Sequence, residues 1–82
     1  MDYQITTIIL TFNEELHIER AIKSAQKVSN EIFIVDSYSN DETLNICKKY
    51  DVEVFQNKFI NQAKQFNWAL KKLPIKNTWI LK

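Results

Sequence analysis

The stretch Glu31-Ile32-Phe33-Ile34-Val35-Asp36, running on into Ser37-Tyr38-Ser39-Asn40-Asp41-Glu42-Thr43, decides the fold. Its four consecutive apolar residues show neither a helical period nor polar alternation. Such a run fits a short strand buried on both faces, as in a parallel sheet covered by helices. The strand ends on a carboxylate, Asp36, and passes into a polar turn. Ser39 followed three residues later by Glu42 matches a capping box, and Asp41 is a rival cap. Leu44, Cys47 and Tyr50 then share one face of a helix.

The same theme repeats on either side. Ile5 to Phe12 is a second β-branched and apolar run. After it, Asn13 offers an N-cap and Glu14 and Glu15 fall where a helix dipole favours carboxylates. Ile18, Ala21, Ile22, Ala25 and Val28 recur at three- and four-residue steps, which predicts an amphipathic helix of about four turns. Downstream, Val52-Glu53-Val54-Phe55 alternates as a strand. Ala63, Phe66, Ala69, Leu70 and Leu73 form a third helical stripe, with Pro74 just beyond as a stop. Thr78-Trp79-Ile80-Leu81 opens a fourth strand before Lys82. The order β-α-β-α-β-α-β with short connections predicts a Rossmann-like, three-layer α/β/α arrangement with a mainly parallel sheet. Residues 1–82 make one domain.

Composition narrows the function. Hydrophobic residues make up 45% and charged residues 26% of the 82 residues, as in ordinary globular domains. The net charge is +1 with the signs interspersed, so nothing points to nucleic acid as a partner. No apolar run approaches the ~20 residues needed to span a bilayer. Met1-Asp2-Tyr3-Gln4 lacks the features of a signal peptide. The single cysteine, Cys47, has no internal disulfide partner, and together these features favour a reducing, cytoplasmic setting. Cys47 lies on an apolar face and reads as a small buried hydrophobe. The chain contains no glycine, which excludes the Gly-rich phosphate loops of the Walker and dinucleotide types. His17, the lone histidine, has no partners for a histidine-based zinc site, and a solvated or capping role suits it.

Parallel sheets of this kind bind ligands outside the carboxyl ends of their strands, near the switch in strand order. Those ends carry Thr11, Phe12, Asn13 and Glu14 after the first strand, and Asp36, Ser37 and Ser39 after the second. Asn13 and Asp41 can equally be helix caps, and Asp36 can equally be a strand terminus.

Three segments in register carry a resemblance: Ile8-Ile9-Leu10-Thr11-Phe12-Asn13-Glu14-Glu15, Ile34-Val35-Asp36-Ser37-Tyr38-Ser39-Asn40-Asp41-Glu42-Thr43, and Ala63-Lys64-Gln65-Phe66-Asn67-Trp68-Ala69-Leu70. Together they resemble the family-2 glycosyltransferases of GT-A fold, and the third is similar to a helix of the branch that glycosylates lipopolysaccharide core. The resemblance implies a nucleotide-sugar donor, with a UDP-sugar the expected form, and a glycan or lipid-linked acceptor. It implies that Thr11 and Asn13 supply polar contacts, Phe12 a stacking surface, and Glu14 a carboxylate near the base or ribose. Asp36 would hold the base or ribose hydroxyls, with Ser37 beside it, and Lys64 and Gln65 would face the diphosphate or sugar. The parent enzyme would work in the cytoplasm or at the inner face of the membrane, by inverting displacement.

Departures from the family pattern are informative. Ser37 stands where many relatives have a second Asp, and Tyr38 and Glu42 stand where glycine is common. A turn needing positive φ at Tyr38 would be strained. The family's Asp-x-Asp motif, which holds a divalent metal (Mg or Mn) on the diphosphate, would follow the strand that ends at Lys82. The expectation is therefore an N-terminal nucleotide-binding half, inactive alone, with no catalytic residue and no metal of its own. Two other readings stay open: an interaction or complementation fragment that self-associates through exposed apolar surface, or an unrelated doubly wound nucleotide-binding module.

Overall fold

The computed structural model describes residues 4–77 and 79–81. Thr78 and Lys82, which the sequence reading places at the two ends of the fourth strand, lie outside the described residues, as do Met1, Asp2 and Tyr3. The elements follow the expected order: β1 (Ile5–Thr11), α1 (Ile18–Gln26), β2 (Glu31–Asp36), α2 (Thr43–Cys47), β3 (Glu53–Gln56), α3 (Gln62–Lys72) and β4 (Trp79–Leu81). The four strands form one sheet in the order β3-β2-β1-β4, and every pairing is parallel.

The strand order explains the layering. From β1 the chain steps to β2 and on to β3, then jumps back across both to place β4 on the far side of β1. Right-handed crossovers put helices on opposite faces when the direction of travel reverses. Accordingly α1 and α2 cover one face, where Ile18, Ile22, Ala25 and Cys47 pack with Ile32 and Ile34. On the other face Ala69 and Leu73 of the α3 segment pack with Ile8, Phe33 and Val35. Residues of β2 thus alternate between two cores, which is why its apolar run shows no polar alternation. The Phe33 and Phe55 rings meet at 6.0 Å between centroids, tilted by 57°, a favoured aromatic geometry.

Local expectations needed adjusting at several points: the second helix, expected to carry Leu44, Cys47 and Tyr50 on one face, stops at Cys47 and leaves Tyr50 beyond it. The first helix begins at Ile18, not just after Asn13, and its first-turn carboxylate is Glu19. Asn13 does not cap it, because its backbone turns to φ 51° and its polar groups are used across the next loop. The helix is correspondingly short, and Val28, past its end at Gln26, is half-exposed. In the second loop Ser39 and Glu42 form no capping box, since the Ser39 hydroxyl turns to Asp36. The rival, Asp41, accepts from the Thr43 amide at 2.9 Å instead. On α3 the buried face is rotated from the expected stripe: Ala63 and Leu70 are exposed, while Gln65 and Ala69 are buried. A buried glutamine breaks an apolar-only reading, and its amide is fully engaged with neighbouring loops. Asn61 caps this helix through a bond from the Lys64 amide at 2.8 Å, and the helix stops before Pro74 as expected.

Cys47 is fully buried. Burial pushes its thiol up from the ordinary value, and the negative charge of Asp36 adds to the effect, so it behaves as a core hydrophobe. At the opposite end of the strands from the polar loops, Thr6 donates to Glu31 at 2.7 Å and accepts from Asn77 at 3.0 Å.

Thr7 is the exception in an otherwise satisfied interior. Its hydroxyl is buried with no hydrogen-bond partner among the described residues, an arrangement that costs about 1–3 kcal/mol. Thr7→Val removes the orphan hydroxyl while keeping the β-branched shape, and is expected to stabilise the domain by roughly 1 kcal/mol. Urea denaturation followed by circular dichroism checks this; a lower midpoint for the variant would contradict it.

Candidate functional site

Adjacent parallel strands β1 and β2 run in register from Thr6↔Glu31 to Thr11↔Asp36. Their carboxyl ends therefore finish level, and the loops that leave them emerge side by side. Two backbone bonds extend the pairing beyond the strands: the Ser37 amide donates to the Thr11 carbonyl at 2.9 Å, and the Asn57 amide to the Asp36 carbonyl at 3.0 Å.

Asp36 is the centre of this end of the molecule and is fully buried. Its Oδ1 accepts from the Thr11 hydroxyl at 2.7 Å and from the Ser39 hydroxyl at 2.5 Å. Its Oδ2 accepts from the Ser39 amide at 2.7 Å and, at 3.4 Å, from the Gln56 side chain. One carboxylate thereby joins the ends of β1, β2 and β3. A buried carboxylate costs several kcal/mol unless its oxygens are satisfied, and here neutral donors from β1, β3 and the loop after β2 do so.

The two loops are also stitched directly. The Asn13 amide donates to the Ser39 hydroxyl at 2.8 Å, and Asn13 Oδ1 accepts from the Asn40 amide at 2.9 Å. The Glu14 amide donates to the Thr43 hydroxyl at 2.8 Å, which in turn donates to Asp41 at 2.5 Å. Asp41 Oδ2 accepts from the Glu15 amide at 3.2 Å. Each loop thus satisfies backbone donors of the other.

Gln65 adds the third helix. Nearly fully buried, it donates to the Ser37 hydroxyl and to the Asn57 carbonyl, both at 3.1 Å, and accepts from the Asn57 side chain at 2.8 Å. Lys64, its neighbour, is exposed near the start of α3.

The sequence-derived residues therefore fall into two groups. Thr11, Asp36, Ser37 and Gln65 form an internally bonded floor, while Phe12, Asn13 and Lys64 are exposed around it and Glu14 is half-buried. Ser39, Asp41 and Thr43 are among the residues outside that set that belong to the same network. Their signal in the sequence is the Ser-x-Asp-x-Thr spacing after Asp36, which reads more readily as helix capping. Among the described residues no group of three or more His, Cys, Asp or Glu side chains is placed to hold a metal ion, and no helix is long and apolar enough to cross a membrane.

The architecture is that of a Rossmann-like α/β fold whose polar loops cluster at the carboxyl ends of its central strands. Residues 6–80 match the sequence model of glycosyl transferase family 2, and the chain belongs to that family. It is 33% identical over 78 residues to an uncharacterized glycosyltransferase of Rickettsia typhi, and 35% identical over 78 residues to one of Rickettsia bellii. Each match covers 95% of this chain and 26% of the relative. It is also 37% identical over 71 residues to the glycosyltransferase SunS of Bacillus phage SPbeta, covering 84% of this chain and 16% of SunS. The chain thus spans about a quarter of the length of the rickettsial relatives. Membership of the family overturns the reading as an unrelated doubly wound module.

Asp41 gives the loop network a pH signature. Partial desolvation raises the pKa of its carboxyl, but bonds from the Thr43 hydroxyl, the Thr43 amide and the Glu15 amide outweigh this and hold it below its ordinary value of 3.8. A carboxyl with a depressed folded-state pKa contributes stability above its unfolded pKa, and that contribution is lost as pH falls through the folded value. Amide exchange at Glu15 and Thr43 is therefore expected to lose protection, relative to the sheet, as pH is lowered through and below about 4. Asp41→Asn should flatten that dependence; an unchanged acid profile in the variant would refute the assignment.

Proposed function

We propose that the loops gathered around Asp36 form the donor nucleotide half-site of a glycosyltransferase that uses a nucleotide-sugar, most simply a UDP-sugar. The observation that carries this reading is the Thr11–Asp36–Ser39 network. It fixes two polar loops side by side at the carboxyl ends of β1 and β2, where open parallel sheets receive nucleotides. Phe12, about half exposed at the rim, offers a ring for base stacking. Asn13 and Glu14 supply polar groups toward the base and ribose. Asp36 and Ser37 shape the floor, and the carboxylate acts chiefly by holding Thr11 and Ser39 in place. Lys64 supplies a positive charge toward the diphosphate, with Gln65 fixing the start of α3 against the β2 loop.

The wider activity follows the family. Transfer of a hexose to a lipopolysaccharide-core or related cell-envelope glycan, by inverting displacement at the anomeric carbon, fits the helix Ala63–Leu70 and its Gln-x-Asn-x-Ala-Leu pattern. The work would be done in the cytoplasm or at the inner face of the membrane. In this reading the 82 residues bind the donor without transferring sugar. In the same reading the acceptor side, the base and the Mg or Mn on the diphosphate would be supplied outside these residues. The contribution of the described residues in this reading is binding and orientation of the donor.

An NMR titration of the isotope-labelled chain with UDP tests the half-site. Shifts should cluster on residues 11–14 and 36–40. Phe12→Ala should weaken binding by roughly tenfold, since stacking of a base on an aromatic ring is worth about 1–3 kcal/mol. Asp36→Asn, which keeps the shape but turns an acceptor into a donor, should disperse the shifts of Thr11 and Ser39 and weaken UDP further. Shifts scattered over the sheet, or none in a folded sample, would overturn the proposal.

A further inference from the structure

Among the described residues two non-glycine positions adopt positive φ: Asn13 at 51° and Tyr38 at 61°. Both sit at the proposed half-site, two residues beyond the last register pair, Thr11↔Asp36. Asn tolerates the left-handed region because its short polar side chain bonds locally, as Asn13 does with the Asn40 amide. Tyrosine has no such compensation, and the conformation is unfavourable for it.

Among the described residues no bond or ring contact of the Tyr38 side chain offsets that cost. The turn is held by the Ser39 amide and hydroxyl on Asp36 and by the Ser37 amide on Thr11, all of which are independent of the Tyr38 side chain. The ring is 58% exposed. Among the described residues the phenol makes no hydrogen bond and the ring no ring contact. The chain lacks glycine but is rich in Asn, and it uses Asn at the other left-handed position. A bulky aromatic at this one is therefore neither a folding requirement nor the only residue type at hand. Backbone strain maintained by surrounding structure is a feature of ligand-binding loops.

We propose that Tyr38 is a ligand-contacting, specificity-determining residue, its ring joining that of Phe12 to form an aromatic rim that receives the nucleobase. The two rings leave from neighbouring strand ends, Phe12 directly after β1 and Tyr38 two residues after β2, and both are more than half exposed. Thr11 and Ser37, each next in sequence to one of them, supply polar groups at the same strand ends. A flat heterocycle with polar edges matches that combination: faces for the rings, edges for the floor. The inference rests on the nucleotide half-site reading and extends it to the base end of the donor.

The test separates the two claims. UDP and uridine are titrated by NMR into the wild-type chain, Tyr38→Gly and Tyr38→Phe, and each protein is also unfolded in urea. Relief of the left-handed strain should raise the urea midpoint of Tyr38→Gly, while its affinity falls roughly fivefold or more for UDP and by a similar factor for uridine, which carries no phosphate. Tyr38→Phe should keep wild-type affinity. A wild-type chain that shows no shifts with UDP overturns the half-site and the role of Tyr38 together. Wild-type binding that Tyr38→Gly leaves unchanged, or a Tyr38→Gly chain with a lowered midpoint, overturns the role of Tyr38 and leaves the half-site standing.

Discussion

The hydrogen bond from Thr11 to Asp36 closes the last register pair of the two central strands, and the arrangement of the loops depends on it. Parallel strands carry no hairpin to align them, so their register rests on side-chain packing and on contacts at their ends. Here the packing is apolar and repetitive along Ile8, Ile9 and Leu10 against Phe33, Ile34 and Val35. A slip by one residue would exchange the faces of a strand, but hydrophobic residues stand on both faces of β2 and would oppose it only weakly. The buried carboxylate is less forgiving. It has satisfied donors in one register alone, and leaving it unpaired in the interior would cost several kcal/mol, a large share of what a small domain has.

The same bonds bear on the proposed half-site. Because Asp36 accepts from Thr11, Ser39 and Gln56, the loops around it are tied together by bonds within the chain. Preorganisation of this sort lowers the entropic cost of binding. It also frees the exposed groups, Phe12, Tyr38 and Lys64, from structural duties. The division between a bonded floor and an exposed rim follows from one rule: groups that hold the turn are buried and paired, and what remains faces solvent.

The sequence made the architecture legible because its signals are periodic. The β2 run, the Ile18/Ile22/Ala25 stripe and Pro74 after the third helix each encode a local preference that agrees with the tertiary structure. What it hid were the non-periodic choices. Asn13 and Ser39 have side chains that can cap a helix, and tertiary partners across the loop claimed them instead. Gln65 reads as the polar side of α3, yet it is buried because Asn57 and Ser37 converge on its amide. Several of these bonds join residues 26 to 28 positions apart, which no local window contains. The candidate site residues were chosen by their position at strand ends and by the family pattern; which of them would be buried was not readable.

The chain's jump from β3 back across the sheet to β4 explains why Gln65 takes part at all. A helix that merely continued the β1-β2-β3 progression would have lain on the face already occupied by α1 and α2. The reversal sends α3 to the other face, and its first turn arrives beneath the loop that follows β2, where the Ser37 hydroxyl meets Gln65. The same reversal makes β1 the strand on which the order switches, with β2 on one side and β4 on the other. Loops diverge at such a switch and leave a crevice above the strand ends. The polar stretch Thr11 to Glu14 leaves the carboxyl end of that strand. Strand order, more than any single motif, is what brings three distant segments of this sequence to one end of the sheet.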